Sequence, residues 1–302
     1  MPATRHEPFD LRYTQNFLKS RRLVERLLDR SGIGPEDVVL EIGPGRGRVT
    51  ACLAGRCRRV IAVELDGALA ARLRRTFAGQ PRVAVHHGDA LTFPLPDGPY
   101  KVFASIPFHV TTAIVTRLTG APNPPQDAYL VMQREAAERF CGVPAGSLYS
   151  VLLKPWFEPQ VVHRFARADF DPAPNVDVVM LRLRQREPPL VAPSQAQRYR
   201  DFVVHCFGGG PVARRLRLGP LGRRGARRLL ARLGIDAHAG PAALRFEQWL
   251  ELFRRTEEAA GPDGWRAVAG AERRLRRLQA GLQRPRRAPS GARRHAGGPP
   301  RR

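Results

Sequence analysis

Val38-Val39-Leu40-Glu41-Ile42-Gly43-Pro44-Gly45-Arg46-Gly47 is the stretch that decides the fold of this 302-residue chain. Its apolar half is typical of a buried parallel strand, and the glycines that follow break that strand into a tight turn. A helical pattern resumes at about Val49. Because glycine lets a backbone turn sharply and approach a ligand closely, the stretch predicts a nucleotide-like cofactor at the carboxyl end of the strand.

Strand and helix patterns alternate through the first half of the chain. Further strands are predicted near residues 60–63, 83–85, 100–104 and 128–132. Helices are predicted near residues 20–29, 49–56, 68–77, 111–118 and 134–140. An added strand pair is expected at 157–165 and 176–184, with Asp171 to Asn175 in the turn between them. This alternation favours an α/β fold with right-handed crossovers and a parallel sheet.

The strand signals stop after Glu187-Pro188-Pro189, where a domain boundary is expected. Helices are predicted beyond it at 199–207, 226–233 and 246–253. We therefore expect a catalytic domain of residues 1–186, a smaller helical domain of 187–260 and a basic, disordered tail of 261–302. The end of that tail, 284–302, contains seven arginines and no acid.

The strongest signal in the composition is positive charge. Fifty-one Lys plus Arg against 27 Asp plus Glu give a net charge of +24, and all but three of the basic residues are arginine. A balance this basic indicates a polyanionic partner, nucleic acid before membrane. Arginine suits such a partner because its guanidinium forks onto phosphate and stacks on bases.

Other bulk features are typical of a protein of the reduced cytoplasm. No run of 18 apolar residues occurs, so no membrane-spanning helix is expected. Residues 1–12 lack the apolar core of a secretory signal. The four cysteines show no Cys-x-x-Cys pair, which favours buried thiols over zinc ligands or disulfides. His86, His87 and His109 have no second cluster at ligand spacing, so no metal site is expected.

Two acids that follow predicted strands are candidate cofactor ligands. Glu64 lies 21 positions after Gly43, where a carboxylate accepts both hydroxyls of an adenosine ribose. Asp89 follows the third strand, where it accepts from an adenine amino group or caps the next helix. The Gly-x-Gly-x-Gly spacing is shorter than the dinucleotide fingerprint, and Glu41 would repel a phosphate. Glu41 would instead orient the cationic amino-acid end of S-adenosylmethionine, directly or through its neighbours.

The segment Ser105-Ile106-Pro107-Phe108 follows the fourth strand and is the most specific piece of the sequence. Proline fixes the turn, and a carbonyl beside it can accept from an incoming amine. Phe108 can stack on a base taken out of its helix. Accepting the amine hydrogens through Ser105 and a backbone carbonyl favours the tetrahedral, more nucleophilic nitrogen. An ordinary strand-to-loop turn with a packed Phe is the alternative reading.

Together these motifs resemble the rRNA adenine N6-dimethyltransferases, most closely the erythromycin-resistance (Erm) branch that modifies 23S rRNA. The resemblance covers about residues 12–184. It is carried, in chain order, by Gln15-Asn16-Phe17-Leu18, Glu41 to Gly47, Glu64-Leu65-Asp66, Gly88-Asp89-Ala90 and Ile106-Pro107-Phe108. Weaker support comes from Phe246 to Phe253 in the helical domain.

The resemblance implies a Rossmann-like methyltransferase sheet, S-adenosylmethionine as donor, and a C-terminal helical domain that aids RNA binding. It also implies resistance to macrolide-type antibiotics and a monomer that acts on 23S rRNA before the ribosome is fully assembled.

The roles of individual residues follow from the same resemblance. Asn16 and Leu18 contact the methionine end of the donor, with Gly43 beside it. Glu64 holds the ribose and Asp89 the adenine, and position 105 lies between the donor and the target amine.

One departure from the family pattern leaves alternatives open. The family usually has Asn where this chain has Ser105, a shorter oxygen acceptor, so the rate or the step from mono- to dimethyl product is in question. A 16S rRNA dimethyltransferase and a catalytically silent RNA-binding relative remain possible readings. A dinucleotide-dependent dehydrogenase is disfavoured by the glycine spacing and by Ile106-Pro107-Phe108.

Overall fold

The computed structural model describes residues 17–282. Its strands are β1 (Phe17–Leu18), β2 (Val38–Ile42), β3 (Arg59–Glu64), β4 (Val83–His87), β5 (Lys101–Ser105), β6 (Asp127–Gln133), β7 (Phe157–Arg164), β8 (Phe170–Asp171) and β9 (Val178–Gln185). Its helices are α1 (Arg21–Asp29), α2 (Arg48–Ala54), α3 (Gly67–Thr76), α4 (Thr111–Thr119), α5 (Arg134–Cys141), α6 (Leu148–Leu153), α7 (Ala196–Cys206), α8 (Val212–Leu218), α9 (Gly222–Arg232), α10 (Phe246–Ala259), α11 (Pro262–Val268) and α12 (Ala271–Leu282). None of the helices in this range is long and apolar enough to cross a membrane.

A seven-stranded sheet in the order β4-β3-β2-β5-β6-β9-β7 forms the centre of the molecule. The first five strands of that order are mutually parallel, and β9 runs antiparallel to both β6 and β7. The expected α/β class with a Rossmann-like sheet is therefore confirmed. The order reverses between β2 and β5, which are adjacent although two strands separate them in sequence. That reversal opens a crevice at their carboxyl ends.

Alternating side chains of the central strands feed two apolar layers. Leu40 and Val102 belong to the layer that is covered by α4 and α5. Their sequence neighbours Val39 and Phe103 belong to the opposite layer, which is covered by α1 and α2. Because both faces of each central strand are buried, these strands appear in the sequence as continuous apolar runs rather than as alternating patterns.

The two-residue strand β8 lies in the connection between β7 and β9, where the sequence predicts only a turn. Asp171 pairs with Phe17 of β1, and Phe170 pairs with Leu18. The prediction that Asp171 belongs to the turn is thus wrong. The partner strand is more than 150 residues away, so no local pattern indicates the pairing.

A third apolar cluster lies in the C-terminal helices. Its largest members, Tyr199, Phe202, Trp249 and Phe253, are fully buried. Val151 of α6 belongs to the same cluster, and its carbonyl accepts from the Tyr199 hydroxyl at 2.9 Å. Since this core extends across the expected boundary between residues 186 and 187, the domain division of the sequence analysis stays a proposal.

The expectation of disorder from residue 261 onward is wrong for 262–282, which form α11 and α12. The centroid of the Trp265 ring lies 6.1 Å from the ring centroids of both Phe202 and Phe253. The buried carboxylate of Asp201 accepts from the backbone N–H groups of Gly270 and Glu272, at 2.9 and 2.8 Å, and so caps the start of α12. These partners lie far away in sequence, and the Arg- and Gly-rich composition gives no sign of them. The rest of the expected tail, 283–302, lies outside the described residues.

Gly264→Ala is expected to lower the free energy of unfolding by about 1 to 3 kcal/mol. A Cβ atom at Gly264 would lie 2.4 Å from the carbonyl oxygen of Pro220, so α11 would have to move away from the α8–α9 connection. Gly225→Ala in α9 is the matched control, because there the nearest atom is a side-chain carbon at 3.4 Å. The control should gain up to about 1 kcal/mol from helix propensity. Urea unfolding measures both, and an equal gain in the two variants would contradict the packing of α11.

Candidate active site

A cleft with a volume of about 240 Å³ opens where β2, β3, β4 and β5 end. It brings together Gly43, Glu64, Asp89 and the whole segment Ser105 to Phe108. Three of its lining residues are acids, Glu64, Asp66 and Asp89, and none is Lys or Arg. In a chain with a net charge of +24, this cleft is a local acidic region that suits a cationic ligand.

The glycine turn forms the floor of the cleft because side chains would not fit there. Gly43, Gly45 and Gly47 all have positive φ, at 70°, 55° and 79°. A Cβ atom at Gly43 would lie 2.9 Å from the carbonyl oxygen of Ser105, and one at Gly45 would lie 2.4 Å from the Phe17 ring. The turn therefore lies directly against the end of β5 and against the N-terminal strand β1.

Glu64 is buried at the end of β3 and is oriented by two backbone donors. Its Oε2 accepts from Gly45 N at 2.9 Å, and its Oε1 accepts from Asp66 N at 3.0 Å. A carboxylate has about four acceptor positions, so each oxygen can still accept a ligand hydroxyl.

Asp89 follows β4 in an exposed loop at the rim of the cleft. Its Oδ1 accepts from Leu91 N at 2.8 Å, which is a local turn contact, while no described residue donates to Oδ2. Arg117 of α4 holds this loop by donating to the carbonyls of Ala90 and Phe93. Thus the helix that follows Ser105 to Phe108 also braces the loop that carries Asp89.

The segment Ser105 to Phe108 begins with the last residue of β5. Ile106 is buried, and its N–H donates to Val131 O at 3.0 Å, which extends the β5–β6 ladder by one bond. The Pro107 carbonyl accepts from Val110 N at 3.1 Å and from the Thr111 hydroxyl at 3.4 Å, so both of its lone pairs are engaged. No described residue donates to the Ile106 carbonyl or bonds to the Ser105 hydroxyl. Two oxygens beside the cleft are therefore available to accept from a ligand.

A smaller cavity of about 40 Å³ adjoins the cleft and shares Phe17, Gly43 and Ser105 with it. Leu18 and Glu41 also line it. Glu41 is 2% exposed, and its Oε2 has no hydrogen-bond partner among the described residues. Burial raises the pKa of Glu41 to about 8, against a smaller lowering by Thr50. A buried carboxyl oxygen without a hydrogen-bond partner at this point suits the cationic amino group that the sequence analysis assigns to Glu41.

The structure also adds cleft residues for which the sequence analysis proposes no role. The Phe17 ring lies under the Arg46 guanidinium at 4.8 Å, and Arg46 forms an ion pair with Asp171 at 2.9 Å. Phe170 and Val178 reach the cleft from the distant strands β8 and β9. Phe17 belongs to a quoted motif, but nothing local indicates the two others. Asn16, a predicted contact of the methionine end, lies outside the described residues.

The guanidinium of Arg134, at the start of α5, is engaged by acidic side chains. It forms an ion pair with Asp177 at 3.1 Å and lies 3.6 Å from Glu138.

Between residues 17 and 282, no group of three or more His, Cys, Asp or Glu is arranged to hold a metal ion.

Comparison with known proteins places the chain in a family. The family described as Ribosomal RNA adenine dimethylase matches residues 7–258. An rRNA adenine N-6-methyltransferase of Saccharopolyspora erythraea is 36% identical over 262 residues, which cover 85% of this chain and 68% of that protein. The mycinamicin-resistance protein MyrB of Micromonospora griseorubida is 33% identical over 246 residues, covering 81% of this chain and 78% of the relative.

A solved structure agrees with the sequence comparisons. The crystal structure of the 23S rRNA methyltransferase ErmE superposes with a TM-score of 0.71 and 36% sequence identity. The match covers 80% of this chain and all of that one. These matches confirm the resemblance that the sequence motifs indicate.

Glu41→Gln is expected to remove part of the pH dependence of folding stability. With a pKa raised from 4.5 to about 8, Glu41 binds its proton more tightly in the folded than in the unfolded chain. The free energy of unfolding therefore falls as the pH rises through that window, by about 1.4 kcal/mol per pH unit for this group.

Because glutamine cannot ionise, the free energy of unfolding of the variant should not show this decrease with pH. Urea unfolding of the ligand-free protein at about pH 6 and pH 8 measures it. Equal slopes in the two proteins would contradict a neutral, buried Glu41.

Proposed function

The chain belongs to the ribosomal RNA adenine dimethylase family of rRNA adenine N6-methyltransferases, and on that premise we propose that it methylates one adenine of 23S rRNA at N6. The donor is S-adenosylmethionine. The observation that carries the proposal is the acidic, arginine-free cleft beside Ser105 to Phe108 in a strongly basic chain. Such a cleft attracts a cationic donor and leaves the RNA phosphates outside.

The residues around the cleft fit that donor. Glu64 has acceptor capacity left for the two ribose hydroxyls, and Asp89 Oδ2, to which no described residue donates, suits the adenine amino group. Glu41, whose Oε2 has no hydrogen-bond partner among the described residues, lines the small cavity where Leu18 and Gly43 would meet the methionine end. Asn16 joins this set by resemblance alone.

The chemistry at the acceptor needs positioning rather than a covalent nucleophile. When bound, S-adenosylmethionine supplies a methyl group on a sulfonium: direct displacement forms the N–C bond, breaks the S–C bond to leave the neutral thioether, and releases one amine hydrogen as a proton to solvent. The Ser105 hydroxyl and the Ile106 carbonyl accept the two hydrogens of the adenine amine, which favours a tetrahedral nitrogen whose lone pair is no longer delocalised into the ring. Pro107 fixes the turn that holds both oxygens, and Phe108, half-buried at the cleft, stacks on the flipped base.

The same proposal covers the partners and the biological role. The enzyme acts in the cytoplasm as a monomer on 23S rRNA before the ribosome is complete, and the helical domain aids RNA binding. N6 methylation would keep macrolide-type antibiotics from their ribosomal site. The similarity to a mycinamicin-resistance protein and to the 23S rRNA methyltransferase ErmE supports this branch of the family.

We expect purified protein to transfer label from S-adenosylmethionine to protein-free 23S rRNA, at a single adenine, and to leave 16S rRNA unlabelled. Primer extension maps the site, and mass spectrometry of the digested RNA separates mono- from dimethyladenine. Label on 16S rRNA alone would assign the chain to the 16S branch, and no label on either RNA would support a silent relative.

Ser105→Ala serves as the chemical control in the same assay. Loss of one acceptor aimed at the reacting amine should lower kcat about 10- to 100-fold, with little change in the KM for S-adenosylmethionine. Ser105→Asn restores an oxygen acceptor and should retain activity. Equal kcat values for wild type and Ser105→Ala would contradict the role proposed for Ser105.

A further inference from the structure

The segment from Phe202 to Ile235 has a charge distribution unlike that of the rest of the chain. Its 34 residues contain eight arginines and no Asp or Glu. They form the end of α7, all of α8 and α9, and the loops between them. The cleft chemistry described above uses none of these arginines.

Helix α9 exposes its arginines and buries its apolar residues. Ala226, Leu229 and Leu230 are buried against the helical core. Its exposed arginines are Arg223, Arg224, Arg227, Arg228 and Arg232. We name these five the α9 arginine face.

None of the five forms an ion pair with a described residue. The neighbouring helices differ in this respect. Arg198, Arg255, Arg266 and Arg276 each lie 2.6 to 3.1 Å from a Glu or Asp carboxylate. The acids that pair with these four arginines lie on α10 to α12, whereas the α9 arginine face has no ion-pair partner within the described chain.

This arrangement works against the stability of α9. Arg223 and Arg227, Arg224 and Arg228, and Arg228 and Arg232 are like charges four residues apart on one helix. Each such pair costs about 0.2 to 0.5 kcal/mol. A bound polyanion would remove that repulsion, which distinguishes the face from an ordinary solvated helix surface.

The residues around the α9 arginine face favour RNA phosphates as the bound polyanion over stacked bases or a membrane surface. No exposed aromatic lies between these arginines on which bases could stack, because Phe202 is buried and Phe207 is stacked on Trp249 at 5.3 Å. Membrane binding would need an apolar side next to the charges, but in α8 and α9 only Leu218 is a large exposed apolar residue. Forked guanidinium groups without stacking partners are suited to phosphate oxygens.

Resting on the proposed function, we propose that the α9 arginine face binds backbone phosphates of the rRNA around the target adenine without reading its sequence. The helical domain then contributes salt-sensitive affinity, and the cleft selects the base. Changes in this face should alter RNA affinity and leave the chemical step intact.

The test compares Arg223→Gln/Arg224→Gln with Arg58→Gln/Arg59→Gln. Arg58 and Arg59 are also adjacent, exposed and without an ion-pair partner among the described residues. They lie at the amino end of β3, on the edge of the sheet opposite the cleft. The substrate is a 23S rRNA fragment that the wild type is first seen to methylate, so a failure of the proposed function shows before any arginine is changed.

The α9 variant should raise the KM for RNA about ten-fold and lower the slope of log affinity against log salt by about 1 to 2. Its kcat, its KM for S-adenosylmethionine and its melting temperature should not fall. The Arg58/Arg59 control should remain close to wild type in every value. Equal losses in both variants would mean that only net charge matters and would overturn the proposal. It would also be overturned if the α9 variant lost binding to phosphatidylglycerol vesicles but kept wild-type RNA affinity.

Discussion

The close approach of Gly43 to Ser105 is the constraint on which the rest of the structure depends. Gly43 directly follows β2 and Ser105 ends the adjacent strand β5, at the point where the strand order reverses. A Cβ atom at position 43 would lie 2.9 Å from the Ser105 carbonyl oxygen, so only glycine allows the contact. Because of this contact, the glycine turn, which would hold the donor, packs directly against the segment from Ser105, which would hold the acceptor. The backbone therefore sets the distance over which a methyl group would move.

Charge is distributed unevenly between the acidic cleft and the arginine-rich helix α9. The cleft contains three carboxylates and no arginine, and a neutral, buried Glu41 lies just beside it. The C-terminal helices instead present the α9 arginine face, whose five arginines form no ion pair with a described residue. A cationic cofactor and an uncharged base suit the first region, and a phosphate backbone suits the second. A net charge of +24 is therefore compatible with a cofactor site that repels phosphate.

The sequence predicts the elements whose signals are local and fails where distant residues decide. Strand β2 and the glycine turn are confirmed. An apolar run followed by Gly-x-Gly-x-Gly is compatible with few structures other than a buried strand that ends in a tight turn. The strands that end at or just before Glu64, Asp89 and Ser105 follow from the same alternation, and in the parallel sheet their carboxyl ends bring these residues together. Strand β8 escapes prediction because its partner is β1, and α12 because the residue that caps it is Asp201. The site is likewise only half visible in the sequence, since Phe170 and Val178 reach the cleft through tertiary packing alone.

The most direct test of this account is a calorimetric titration of S-adenosylhomocysteine into wild type, Gly43→Ala and Gly79→Ala. A Cβ atom at Gly79 would meet no other atom within 4 Å, so Gly79→Ala serves as the control. We expect the added methyl group at position 43 to push the glycine turn away from Ser105 and to weaken binding at least about ten-fold, with Gly79→Ala unchanged. Wild-type affinity in Gly43→Ala would contradict the claim that this backbone contact builds the donor site.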